Sequence, residues 1–207
     1  MIFSKNGADT PEIRFKGFSG EWEDRRLGTI ADIVGGGTPS TTVSDYWNGN
    51  IDWYSPTEIG NNNYANGSQK KITQLGLEKS SAKIHPAYKT ILFTSRAGIG
   101  DMAILNKEGA TNQGFQSLIL KNGVVPYFIY SAGYLIKHFA LKHASGSTFL
   151  EISGKQLENM NINIPKKSEQ TKIGNYFQKL DKLIEQHQKK YDKLVTLKKA
   201  SLEKMFV

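Results

Sequence analysis

Cysteine is absent from the 207 residues, which removes thiol nucleophiles, Cys-ligated zinc and iron–sulfur chemistry together. Apolar runs are all far shorter than the roughly 18 to 20 residues of a bilayer-crossing helix. The opening Met1-Ile2-Phe3-Ser4-Lys5-Asn6-Gly7 lacks the apolar region of a secretory signal. The expectation is a soluble cytoplasmic chain with no membrane partner. Arginine is scarce in the middle: Arg96 alone falls between residues 27 and 165, so neither guanine-rich readout nor a broad phosphate clamp is signalled. Proline is missing from Glu169 onward, and the only glycine there is Gly174.

Catalytic patterns are missing as well. No GxxxxGK[ST] loop, HExxH pair or GxSxG elbow occurs. The four histidines, His85, His138, His143 and His187, do not make a ligand set, since the two on the middle helix are five apart and point to different sides, so no metal is expected. Arg96-Ala97-Gly98-Ile99-Gly100-Asp101-Met102-Ala103 contains G-x-G-x-x-A, but residues 104–109 are too few for the required helix and position 118 is Leu rather than an acid. Gly35-Gly36-Gly37-Thr38-Pro39-Ser40 reads as a tight connection, because no Lys-Ser/Thr follows it. Ser95 beside Arg96 has no histidine base nearby in sequence. No catalytic residue and no cofactor are expected.

The charge is present but unevenly placed. Lys+Arg outnumber Asp+Glu 27 to 19, a net +8. Residues 166–207 carry 11 lysines against 5 acids, a balance of +6, which leaves 16 against 14, or +2, for the first 165 residues. That tail has apolar residues at alternating steps of four and three, Ile173, Phe177, Leu180, Ile184, Tyr191 and Leu194 with His187 in line, which is the seam of a coiled coil. Beyond Leu194 the stripe drifts to Leu197, Leu202, Met205 and Phe206. The spacing predicts a helix over about 168–205, roughly 57 Å long, with Ser168 as N-cap and Glu169 in its first turn. A helix of that length requires a partner helix to cover its stripe.

Residues 21–165 read as an α+β domain with a mixed sheet, after a junction segment over 1–20 and before the arm of 166–207. Strands are predicted at 30–34, 51–54, 90–94, 102–105, 117–120 and 161–164, and a helix over 127–143 opened by Pro126. Six asparagines, Asn48, Asn50, Asn61, Asn62, Asn63 and Asn66, are interleaved with Trp47, Trp53, Tyr54 and Tyr64 and followed by Gln69, Lys70 and Lys71. Asn and Gln can pair with the adenine N6/N7 edge, lysines with phosphates, and aromatics with base faces or thymine methyls. A second polar cluster, Thr111-Asn112-Gln113-Gly114-Phe115-Gln116-Ser117, can do the same. A long surface loop rich in turn-forming asparagine is the alternative.

Taken in order, Gly35 to Thr41, Tyr46-Trp47-Asn48-Gly49, Ile51-Asp52-Trp53, Thr94 to Gly100 and Thr111 to Gln116 resemble the target-recognition domain of type I restriction–modification specificity subunits. Gly146-Ser147-Thr148-Phe149-Leu150-Glu151-Ile152-Ser153, the stretch from Pro165 to Asp181, and the close at Leu197-Lys198-Lys199 and Lys204-Met205-Phe206 resemble that family's helical region. The resemblance implies a chain that reads double-stranded DNA and catalyses nothing. Separate modification subunits, carrying the Pro-Pro-aromatic motif missing here, methylate adenine N6, and a restriction and translocase subunit is engaged indirectly.

Composition and resemblance together nominate Ser40, Thr41, Tyr46, Trp47, Asn48, Asn62, Asn63, Tyr64, Lys70, Lys71, Arg96, Asn112 and Gln113 as DNA contacts. Family members usually hold two recognition domains and two helical regions, whereas one of each is present here. The N-terminal segment, with Pro11-Glu12-Ile13-Arg14-Phe15 and Gly17-Phe18, resembles the junction after a first helical arm, so a half-subunit pairing as a homodimer through the seam residues is expected. The competing expectation is a coiled-coil adaptor whose α+β domain binds a ligand other than DNA.

Overall fold

In the computed structural model, which describes residues 10–146 and 150–206, the order is β1 (Glu23–Arg26), α1 (Leu27–Ile30), β2 (Ala31–Gly35), β3 (Trp47–Tyr54), β4 (Tyr64–Ala65), β5 (Lys70–Ile72), α2 (Gln74–Glu78), β6 (Thr90–Phe93), β7 (Met102–Leu105), β8 (Ala110–Thr111) and β9 (Gln116–Leu120). There follow α3 (Pro126–Ser131), α4 (Gly133–His143), α5 (Gly154–Glu158), β10 (Asn161–Ile164) and the arm α6 (Lys167–Met205). The α+β architecture with mixed sheets and a long C-terminal helix agrees with the sequence reading.

The segments Thr-Ile-Leu-Phe of β6 and Met-Ala-Ile-Leu of β7 are buried throughout and lie side by side, antiparallel, in a five-stranded sheet of order β2-β9-β6-β7-β4. Successive side chains point to opposite faces. Ile91, Phe93, Met102 and Ile104 accordingly meet α3 and α4 with Phe128, Ile129 and Ile136, while Leu92, Ala103 and Leu105 meet Tyr54 and Phe115 on the other side. The pairing of β4 with β7 is parallel and the rest of this sheet is antiparallel. A three-stranded sheet, β5-β3-β8, contributes Tyr54 to that second face and packs Trp53, Ile72 and Ala110 in a small cluster of its own, and β1 pairs with β10.

Several elements depart from expectation for identifiable reasons. The helix predicted over 127–143 is two helices, broken at Ala132. Gly133 begins the second one against Met102, where a Cβ would come within 2.7 Å of the sulfur. The strand β1 is Glu-Asp-Arg-Arg, exposed at every position, and is held to β10 by backbone pairing and by the Asn161 amide donating to Asp24 at 2.9 Å, a relation no hydrophobic pattern reveals. The arm is capped at Lys166 without a side-chain hydrogen bond, so Ser168 lies inside the helix instead of capping it. Glu169 does occupy the first turn, buried, and takes Arg14 Nε and Nη2 at 2.8 Å each.

The arm is 39 residues, roughly 58 Å at 1.5 Å per residue. Its first turns belong to the domain: Ile173 is 1% exposed in the main core and Phe177 packs against it. Gly174 passes Phe128 N at 3.1 Å from its hypothetical Cβ. Beyond Asp181 the helix stands away from the domain, with Ile184, Tyr191 and Leu194 exposed by 65%, 62% and 55%. No helix among the described residues is long and apolar enough to cross a membrane.

Candidate nucleic-acid interface

The antiparallel registers bring three glycine-bearing segments to one end of the five-stranded sheet. There β2 runs out at Gly35 beside Gln116 of β9, and β6 runs out at Thr94 beside Phe115. Residues 35–41, 94–100 and 112–114, far apart in the chain, therefore become neighbours. Ser95 N donates to Gly114 O at 2.8 Å and Gly37 N to Thr111 O at 2.9 Å. Gly36 passes so close to the 111–112 backbone that a Cβ would lie 2.0 Å from Asn112 O, a contact only glycine allows.

Both tryptophans of the Asn-rich region serve this loop. Trp53, buried, donates its indole N–H to Gly37 O at 2.9 Å, and Trp47 donates to Ser40 O at 3.0 Å. Their rings meet edge to face at 5.1 Å. Trp47 thus braces Ser40 and Thr41, which stand exposed, and Lys70 Nζ lies 6.0 Å above its ring. Tyr46 O accepts Thr73 N at 3.0 Å, and the exposed Asn48, at φ 61°, sits in the irregular stretch where the β3–β5 register shifts.

Adjacent lysines divide in role. Lys70 is exposed, whereas Lys71 donates to Asp52 Oδ1 at 2.8 Å and Lys107 lies 3.2 Å from Oδ2. Asp52 is fully buried. Burial pushes its carboxyl up, but hydrogen bonds from Lys71, from Ser68 and from Lys107 outweigh that and hold it below its usual value. A buried carboxylate of this kind needs its partners, so Lys71 is committed to the fold. Sequence reasoning missed Asp52 and Lys107; the alternation in Ile51-Asp52-Trp53 was the available signal.

The asparagine loop divides likewise. Asn63 donates to Tyr127 OH at 2.8 Å and accepts from Tyr130 OH at 3.0 Å, and Tyr127 OH donates to Asp181 of the arm at 2.6 Å. The Tyr127 phenol is pushed up by burial first and by Asp181 second, which keeps it a donor. Gln178 donates to Tyr64 OH at 2.6 Å. Asn63 and Tyr64 thus tie the loop to the root of the arm. Asn61 and Asn62 stay exposed and line an open groove of about 970 Å³ against Lys179, Lys182 and Lys189.

Arg96 is half-buried in a tight loop closed by Thr94, whose hydroxyl donates to Gly98 O at 2.6 Å; it makes no ion pair among the described residues. Ile152 N donates to Ser95 O at 3.1 Å, so the Leu150-Glu151-Ile152-Ser153 segment buttresses that loop, while Ser147, Thr148 and Phe149 lie outside the described residues. So does the 1–9 part of the N-terminal junction. Among the described residues no three His, Asp or Glu side chains gather to hold a metal. Of the predicted seam, Ile173 and Phe177 are used inside the domain, Leu180 is half-buried, and Ile184, His187, Tyr191 and Leu194 remain open.

Residues 19–196 match the family described as the type I restriction modification DNA specificity domain. The chain is 36% identical over 190 residues to the type I restriction enzyme MjaIX specificity subunit of Methanocaldococcus jannaschii, covering 88% of this chain and 42% of that one. It is 31% identical over 193 residues to the EcoR124I/EcoR124II specificity subunit of Escherichia coli, covering 84% and 47%. It thus spans about half the length of these curated relatives. Among solved structures, the HsdS subunit from Thermoanaerobacter tengcongensis has the same fold, with a TM-score of 0.66 at 19% identity over 91% of this chain and 42% of that one. A chain from a study of complex assembly and conformational transition in the type I R-M system is similar at a TM-score of 0.73 and 18% identity, covering 99% and 46%.

Proposed function

This chain belongs to the type I restriction–modification DNA specificity family, and from that premise we propose that it reads one half of a bipartite DNA site and docks adenine-N6 methyltransferase subunits, catalysing nothing itself. The observation that carries the reading is the convergence of residues 35–41, 94–100 and 112–114 on one edge, with Lys70 and Arg96 free of ion pairs among the described residues. Asn61 and Asn62, exposed beside that edge, read bases, and the restriction and translocase subunit joins through the methyltransferases, in the cytoplasm.

Two copies pair antiparallel through their arms. Support comes from the apolar stripe continuing past Phe177, where the domain no longer covers it. A ruler of roughly 58 Å corresponds to about 17 base pairs at 3.4 Å each, an upper figure because each head extends back over the DNA. The expected site has identical inverted halves and a fixed unspecific spacer. With only +2 on the first 165 residues, the head grips DNA weakly alone and the methyltransferases supply much of the electrostatic attraction. Methylome sequencing of cells holding the chain and its methyltransferase tests this; one asymmetric contiguous site refutes the geometry. A monomer by light scattering at micromolar concentration refutes the pairing.

A further inference from the structure

We propose that residues 112–114 and the loop 37–40 form a DNA-backbone clamp in which Gln113 and Lys70 hold phosphate oxygens; the proposal rests on the DNA-reading role above. By residue type alone, Asn112 and Gln113 suit the adenine edge, because a free carboxamide offers one acceptor and one donor side. Here the oxygen of each is engaged within the fold, while the nitrogen is not. Asn112 Oδ1 accepts Gly114 N at 2.8 Å, and Gln113 Oε1 accepts the hydroxyl of Thr38. The nitrogen of each amide has no partner among the described residues. What the turn offers outward is therefore led by its amide donors, the exposed Gln113 first with the half-buried Asn112 behind it.

A surface led by free amide donors suits a ligand that only accepts, and the non-bridging oxygens of phosphate are such a ligand. Lys70 adds the charge: it sits over Trp47, whose indole is bonded to Ser40 at the end of the same loop, and no carboxylate neutralises it among the described residues. The support is rigid, since Gly36 admits no side chain against residues 111–112 and Gly114 is wedged against Pro56, 2.8 Å from its hypothetical Cβ. Rigid backbone contacts fix register on the duplex and carry no sequence information. Base reading is then left to Asn61 and Asn62.

The test measures binding of the chain assembled with its methyltransferase subunits to two duplexes, one carrying its own methylated-site sequence and one scrambled. Gln113→Ala should weaken both by the same factor, roughly tenfold for a lost bond to a charged group. Gln113→Glu keeps an acceptor for Thr38 but faces phosphate with a negative charge, so it should weaken both further, most at low salt. Lys70→Ala should lower the salt slope by about one. Gln113 is exposed, so thermal melts of these variants should match the wild type. A changed methylation sequence in Gln113→Ala, which is what guanine O6/N7 reading would produce, or wild-type binding by Gln113→Glu, overturns the clamp. A wild-type assembly that binds both duplexes equally refutes sequence reading instead and leaves the uniform losses measurable, so the two ideas fail separately.

Discussion

Asn62 and Asn63 are chemically identical neighbours, and replacing each by alanine should give opposite phenotypes. Asn63 makes two hydrogen bonds, 2.8 Å to Tyr127 OH and 3.0 Å from Tyr130 OH. Each is worth about 1 kcal/mol net. Tyr127 keeps its bond to Asp181 after the change, whereas the half-buried Tyr130 hydroxyl must turn to water. The sum for Asn63→Ala is about 2 kcal/mol, which on a chain of this size lowers Tm by roughly 4 to 8 °C. Asn62 is exposed, and its truncation should stay within about 0.5 kcal/mol. On DNA the order inverts. Asn62→Ala should lose roughly tenfold of discrimination at one base position, the value of a specific base contact, while Asn63→Ala keeps the recognised sequence. Thermal and urea denaturation followed by circular dichroism, with methylation profiling of both variants, measures all four quantities. An Asn63→Ala protein that melts with the wild type would refute the reasoning, as would an Asn62→Ala protein that melts as low as Asn63→Ala should.

Three further outcomes follow from the same geometry. Gly36→Ala forces a Cβ to 2.0 Å from Asn112 O and should break the Gly37–Thr111 and Trp53–Gly37 bonds, costing about 2 to 4 kcal/mol and DNA binding together; unchanged urea midpoints would contradict it. Burial, with Lys83 second, pushes the His85 imidazole from 6.5 down to about 4, so His85 is neutral in the fold at pH 7. Because the folded value lies below the unfolded one, this contribution is complete above pH 6.5 and is lost as pH falls from about 6.5 to 4, about 2 kcal/mol by pH 5, with a flat urea midpoint across that window as the contrary result. Leu194→Asp, in the open half of the stripe, should weaken self-association by about 2 kcal/mol or more per copy while leaving the domain's melt in place, as read by sedimentation against concentration.

Much of the architecture is legible locally. The continuous apolar runs of β6 and β7 announce strands buried on both faces, and the four-three spacing from Ile173 announces the arm. Both signals are carried by neighbours in the chain. Short elements such as β4, β5 and β8 are not legible, because two or three residues hold no period and their existence rests on the strand beside them.

For the candidate site the sequence nominates residues but does not assign their roles. Residue type says that asparagine, glutamine and lysine can meet DNA; it does not say which are already occupied. Lys71 is spent on Asp52, Asn63 on Tyr127 and Tyr130, and the oxygen of Gln113 on Thr38, while Lys70, Asn62 and the nitrogen of Gln113 are left to the outside. The seam divides in the same way, Ile173 inward and Leu194 outward, although one period covers both. The sequence by itself determined the strands with continuous apolar runs, the basic arm and the absence of catalytic patterns, since composition and short-range spacing suffice for those. Only the tertiary structure decided the division of labour, because it depends on partners 64 residues away, as for Asn63, or 155, as for Arg14 and Glu169, brought within hydrogen-bond distance by the fold.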